Sequence, residues 1–204
     1  RTGIVRAALG SIADRVMRTT RHPVLLVRSK DTNQLVESRP IRKIMVPLDG
    51  SALSEEALAQ AKIIAEDSGA SIHLLQVLQP LQKWEQMLLY GPDRPFETIA
   101  EARYSEAEAY LGRVRQSLED AQHSATAKLY TGIVADSILE AAKNEAVDLV
   151  VMGTHGYGGY TRWVYGSVAN RVVHEATCPL IMLRCTPTDI DKPALKDAAM
   201  AVGL

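Results

Sequence analysis

The chain has 204 residues, 47% of them hydrophobic and 23% charged, with a formal net charge of -1. That composition excludes a wholly disordered polypeptide, and the balanced charge leaves no basic field for non-specific binding of nucleic acid or anionic membrane. No apolar run approaches the roughly 20 residues that span a bilayer.

The first 28 residues repeat a later part of the chain. Displacing the sequence by 156 positions lays Gly3, Arg6, Gly10, Ser11, Ala13, Arg15, Val16, Pro23 and Arg28 on Gly159, Arg162, Gly166, Ser167, Ala169, Arg171, Val172, Pro179 and Arg184. Val24, Leu25, Leu26 and Val27 fall on Leu180, Ile181, Met182 and Leu183. Repeats at a fixed displacement mark duplicated structural units. Residues 1–28 therefore read as the last helix and strand of a truncated first domain. They lack a secretory leader's apolar core, and the absence of an initial Met marks the chain as cut or processed. Residues 29–40 are polar and read as a linker, residues 41–184 as a complete domain, and residues 185–204 as a loose tail.

Within the complete domain, residues 44–48 form an apolar run that ends at Asp49-Gly50-Ser51, as a strand buried on both faces would. Residues 51–68 carry Leu53, Ala57, Ala61, Ile64 and Ala65 at helical spacing, and Gly69 stops the helix. Residues 72–78 are a second strand. Residues 79–98, with Pro80, Pro92 and Pro95, form a long connection whose apolar Trp84, Met87, Leu88, Leu89 and Tyr90 suit a lid or interface as well as ordinary packing. A helix over 102–121 and a strand over 126–130 follow. A helix over 134–143, a strand over 149–152, a helix over 168–176 and a strand over 180–183 complete the unit. Cys178 and Cys185 flank the last strand, whose rise of about 3.3 Å per residue keeps the sulfurs too far apart to bridge. Free thiols point to a reducing, cytoplasmic setting.

Strands alternating with helices predict an α/β fold with a parallel sheet covered on both faces. Ligands in such folds bind beyond the carboxyl ends of the strands, which singles out the loops after residues 48 and 152. The second loop reads Gly153-Thr154-His155-Gly156-Tyr157-Gly158-Gly159, with Gly166-Ser167 at the start of the following helix. Glycines let backbone N–H groups close on an anion, and the helix start adds its dipole and free N–H groups. The same residues would also serve as a turn and an N-cap. The loop is neither a P-loop nor the dinucleotide fingerprint, because neither spacing occurs.

Gly153-x2-Gly156-x9-Gly166-Ser167 resembles the ATP-binding motif of the universal stress protein family. Asp49-Gly50-Ser51 with Ser54 and Ala57 resembles the family's opening motif, and residues 148–156 its fourth-strand signature. The resemblance implies a five-stranded parallel sheet in the order 3-2-1-4-5, of the adenine nucleotide alpha hydrolase-like type. It places Asp49 near a ribose, has Pro47 and Leu48 line the cleft beside Met152, and has Val77 contact adenine. Gly153, Gly156, Gly166 and Ser167 would meet phosphate, with backbone help from His155, Val168 and Ala169. Asp49 would otherwise be a helix cap, and His155 a polar loop residue. Tyr157 stands where the family loop often has a basic residue, a loss for which Arg162 could compensate.

ATP is the implied ligand, with Mg or Mn carried by the triphosphate rather than by a protein metal site. The implied partner is a second copy of the domain through strand five, as a homodimer or as an internal pseudo-dimer that pairs Leu180, Ile181, Met182 and Leu183 with Val24, Leu25, Leu26 and Val27. Neither a nucleic acid nor a membrane is implied. The reading is a nucleotide-dependent stress-response module with no catalytic residue. The rivals are a slow ATPase or phosphotransferase and a nucleotide-free scaffold.

Overall fold

A computed structural model describes residues 10–20, 22–28, 39–81, 84, 87, 96–154 and 166–184. In chain order these form α1 (Ser11–Thr19), β1 (Val24–Leu26), β2 (Lys43–Pro47), α2 (Ala52–Ser68) and β3 (Ser71–Leu78). They continue with α3 (Phe96–Asp120), β4 (Ala125–Thr131), α4 (Val134–Asn144), β5 (Leu149–Gly153), α5 (Ser167–Glu175) and β6 (Leu180–Leu183). Residues 29–38 of the linker expected over 29–40, the tail over 185–204 and most of residues 82–95 in the connection expected over 79–98 lie outside the described residues.

The sheet order is β1-β6-β5-β2-β3-β4. This corrects the five-stranded expectation to six. β2, β3, β4, β5 and β6 run parallel to their neighbours, whereas β1 pairs antiparallel with β6. The sixth strand joins because β6 would otherwise offer a row of bare N–H and C=O groups, and β1 has the β-branched and aliphatic residues to cover it.

Period-two alternation divides the core. Ile44, Val46, Ile72, Leu74, Leu149 and Val151 face α2 and α3, where Ala57, Ala61, Leu111 and Leu118 close the layer. Met45, Leu75, Val150, Met152, Leu180 and Met182 face the other way, against Ala135, Ile138 and Ala141 of α4 and Val172 and Val173 of α5. Small residues on α2 let that helix sit close to the strands.

Local chemistry sets the element ends. Ser51 caps α2 by accepting the Ser54 N–H at 3.2 Å, and Gly69 ends it at φ +70°, a left-handed conformation that favours glycine. The helix expected over 102–121 begins instead at Phe96, so the preceding connection is shorter than the prolines suggested. At the amino end of the sheet, Asp148 accepts the N–H groups of Arg42 and Lys43, each at 2.9 Å, and its own N–H donates to the Lys43 carbonyl at 3.0 Å. This clasp holds β2 against β5.

His73 is buried in β3, its Nδ1 2.7 Å from the Thr126 hydroxyl, and among the described residues its Nε2 meets no hydrogen-bond partner. Burial lowers its pKa below the ordinary 6.5; Lys43 and Lys128 push the same way, against Glu145. The folded state therefore resists the proton that the unfolded chain accepts. Stability is expected to fall as the pH drops below about 6.5, continuing down to the lowered folded value. Urea unfolding at several pH values between neutral and mildly acid should show a smaller acid loss in His73→Asn than in the parent chain. An equal loss in both would show that His73 is not its source.

Candidate switch-point cleft

From β2 the chain winds outward through β3 and β4, then returns to β5 and winds the other way through β6. The order thus reverses between β2 and β5, which are paired through Ile44–Leu149 and Met45–Val150. A doubly wound sheet opens a crevice at the carboxyl ends of such strands.

Beyond β2, the Leu48 N–H donates to the Leu75 carbonyl at 2.7 Å, and the chain then turns through Gly50 at φ +79°. Asp49 organises this turn. Its Oδ1 accepts the Ser51 N–H at 3.0 Å and the Ser51 hydroxyl at 2.6 Å. The helix cap is therefore Ser51, and Asp49 stands before it as the acceptor that fixes the cap.

Beyond β5, Thr154 is buried at 3% exposure and donates its N–H to the Leu183 carbonyl at 2.7 Å. Its carbonyl accepts the Gly166 N–H at 3.0 Å. One residue thus ties together the end of β5, the end of β6 and the start of α5. Gly166, rather than Ser167, is the N-cap of α5, and among the described residues no side chain caps the helix. The first backbone bond of the helix runs from Asn170 N–H to the Gly166 carbonyl. The N–H groups of Ser167, Val168 and Ala169 precede it and have no intrahelical acceptor. With the helix dipole they form an anion-attracting end.

The structure brings most expected residues to this one edge. Pro47 and Asp49 end β2, Val77 is near the end of β3, Met152 and Gly153 end β5, and Gly166, Ser167, Val168 and Ala169 begin α5. Val77 and Val168 pack against the core layer that contains Met152. Leu48 is different: its buried side chain belongs to the opposite layer, with α2, because each step along the strand changes face. Ala169 is buried in the core, so only its backbone can face a ligand. His155, Gly156, Tyr157 and Arg162 lie outside the described residues.

Sequence reading missed Thr154 as an anchor, since a threonine beside glycines carries no signal of burial. It also missed two ties that position the neighbouring helix. The Tyr110 hydroxyl donates to Glu55 in the first turn of α2, and Arg103 donates to the Gln79 carbonyl at 3.1 Å. Burial, reinforced by the Glu55 bond and charge, holds the Tyr110 phenol above its ordinary range, so it stays a donor. Among the described residues no group of three or more His, Cys, Asp or Glu could hold a metal ion, and no helix is long and apolar enough to cross a membrane.

The fold and cleft define a doubly wound α/β protein with a switch-point crevice and a helix start aimed at it. Residues 40–184 match the family model described as the universal stress protein family, and the chain belongs to that family. A universal stress protein of Methanocaldococcus jannaschii is 31% identical over 143 residues, covering 70% of this chain and 82% of that one. One from Mycobacterium tuberculosis is 30% identical over 188 residues, covering 90% of this chain but only 59% of the relative. This chain thus spans little more than half the length of that relative. Among solved structures, a universal stress protein in complex with cAMP has a TM-score of 0.53 at 19% identity, covering 72% of this chain and 98% of that one.

Proposed function

We propose that this universal stress protein binds ATP in the switch-point cleft and that occupancy changes its assembly or its choice of partner. The observation that carries this reading is the Thr154 anchor. By accepting the Gly166 N–H, it holds the start of α5 at the end of β5, the strand next to the one that Asp49 follows. Polyanionic phosphate matches the helix start and the backbone of Gly153 and Gly166. Asp49, the one acidic group among the expected contacts, suits ribose hydroxyls rather than phosphate. Pro47, Val77 and Met152 offer an apolar wall for a base. A solved relative's complex with cAMP supports the nucleotide class. Mg or Mn would enter with the triphosphate, held by its oxygens.

Isothermal titration of the chain with ATP and Mg is the test. Saturation at one ATP per chain is expected, with Gly156→Val abolishing the heat while leaving the melting temperature unchanged. Absence of binding in the parent chain would favour a nucleotide-free scaffold.

A further inference from the structure

Residues 20–28 grip the α5–β6 unit at three places. The carbonyl of Thr20, the residue that ends α1, accepts from the Arg184 guanidinium at 3.2 Å. β1 then pairs antiparallel with β6, with Leu25 opposite Ile181. Beyond β1, Arg28 donates to the Val173 carbonyl. That carbonyl lies in the last turn of α5, where backbone acceptors have no intrahelical donor and the helix dipole is negative. Met17, Val24 and Leu26 seat the segment on the core layer that holds Val172 and Val173.

Each grip acts on a part that builds the cleft. Arg184 directly follows Leu183, whose carbonyl takes the Thr154 N–H at 2.7 Å. Thr154 in turn accepts the Gly166 N–H at 3.0 Å, which places the start of α5. The opposite end of that helix is the one that Arg28 holds. Bonds therefore run in a closed ring, from Thr20 through Arg184, Leu183, Thr154 and α5 to Arg28, and back along β1. α5 has only nine residues, and a helix that short is marginal by itself. Holding its last turn and the strand behind its anchor holds the N–H groups of its first turn.

The ring has a firm side and a loose side. Val172 of α5 is fully buried, whereas Val16, at the matching place in α1, is 45% exposed. α5 is thus embedded in the core, while α1 rests on it through Met17. A segment with little buried apolar surface opens at a lower free-energy cost than the core beneath it.

We propose that residues 20–28 are a clamp that regulates the cleft, with Arg28 and Arg184 as positioning residues for the phosphate-facing start of α5. With the clamp closed, the N–H groups of Ser167, Val168 and Ala169 stand preorganised for a phosphate. With it open, α5 and the end of β6 loosen, and affinity falls in proportion to the fraction of closed molecules. Linkage makes the effect reciprocal: an occupied cleft holds the clamp shut, and whatever pulls residues 20–28 away releases the ligand. The affinity arm rests on the nucleotide reading above, and the clamp itself does not.

Amide hydrogen exchange on the ligand-free chain reads the clamp directly. Arg28→Met and Arg184→Met keep an apolar stem and remove the donors. Each should speed exchange of the Gly166 amide at least about fivefold, while the Lys43 amide, held by Asp148 at the other end of the sheet, keeps the parent's rate. Arg28→Lys retains the charge and a donor, and should restore most of the protection. Titration calorimetry with ATP and Mg should show about a tenfold loss of affinity in each Met variant and less than about a threefold loss in Arg28→Lys. In the parent chain, ATP should slow the amides of the β1–β6 ladder at least about fivefold. Unchanged Gly166 exchange in both Met variants overturns the clamp, as does equal acceleration of the Lys43 amide, which would mean global loosening. Faster Gly166 exchange with unchanged ATP affinity overturns its regulatory role. A parent chain that binds no ATP fails the nucleotide reading instead, and Gly166 exchange still decides the clamp.

Discussion

Asp49→Ala is expected to weaken ATP binding by about ten- to a hundredfold, since a charged hydrogen-bond acceptor contributes about 1.5–3 kcal/mol and 1.4 kcal/mol is tenfold. The carboxylate sits at the mouth of the cleft and fixes the Gly50 turn through the Ser51 N–H and hydroxyl. In the proposed complex its loss would remove a ribose partner and loosen the loop that presents it. The fold should tolerate the change at a cost of about 1 kcal/mol, because Ser51 keeps its own cap bond to Ser54. Titration calorimetry beside urea unfolding separates the two effects. Unchanged affinity would make Asp49 a loop organiser and remove it from the binding site.

Asp148→Ala should do the reverse. Asp148 belongs to the same sequence signature as the glycine loop, yet it lies at the opposite end of β5. There one carboxylate oxygen accepts two backbone N–H groups from the start of β2. Removing it takes a charged acceptor from both donors, of which the exposed Arg42 N–H can turn to water and the part-buried Lys43 N–H is left short, at a cost of about 1.5–3 kcal/mol from a typical total of about 5–15 kcal/mol. The midpoint of urea unfolding should fall sharply, while ATP affinity at low temperature stays within about twofold, since no binding contact is touched. A large affinity loss in a still-folded Asp148→Ala would mean that the β2–β5 clasp sets the width of the cleft.

The two carboxylates illustrate what motif spacing conveys. Asp49 and Asp148 are both legible as members of family signatures, but spacing along a chain does not say which end of a strand a residue occupies relative to a ligand. Leu48 shows the same gap at shorter range. It adjoins Pro47 and Asp49 in sequence, yet alternation sends its side chain into the layer beneath α2. Thr154 was legible only as a loop residue. Its anchoring role needs Leu183 and Gly166 to arrive from later in the chain. The Tyr110–Glu55 tie spans 55 residues and left no local trace.

Local patterning did determine most elements, because their signals are local. Helical spacing over 51–68 with Gly69 behind it, the apolar runs of the strands and the glycines around the fourth-strand signature each act within a few residues. The internal repeat was likewise complete in the sequence. The pairing of the repeated strand with β6 was already expected from the repeat; the tertiary structure fixed its register, with Leu25 opposite Ile181, and made one sheet of six strands. It also decided which copies of the repeated apolar residues are buried. Pairing and burial depend on what lies alongside an element, and similar local sequence in α1 and α5 meets different neighbours.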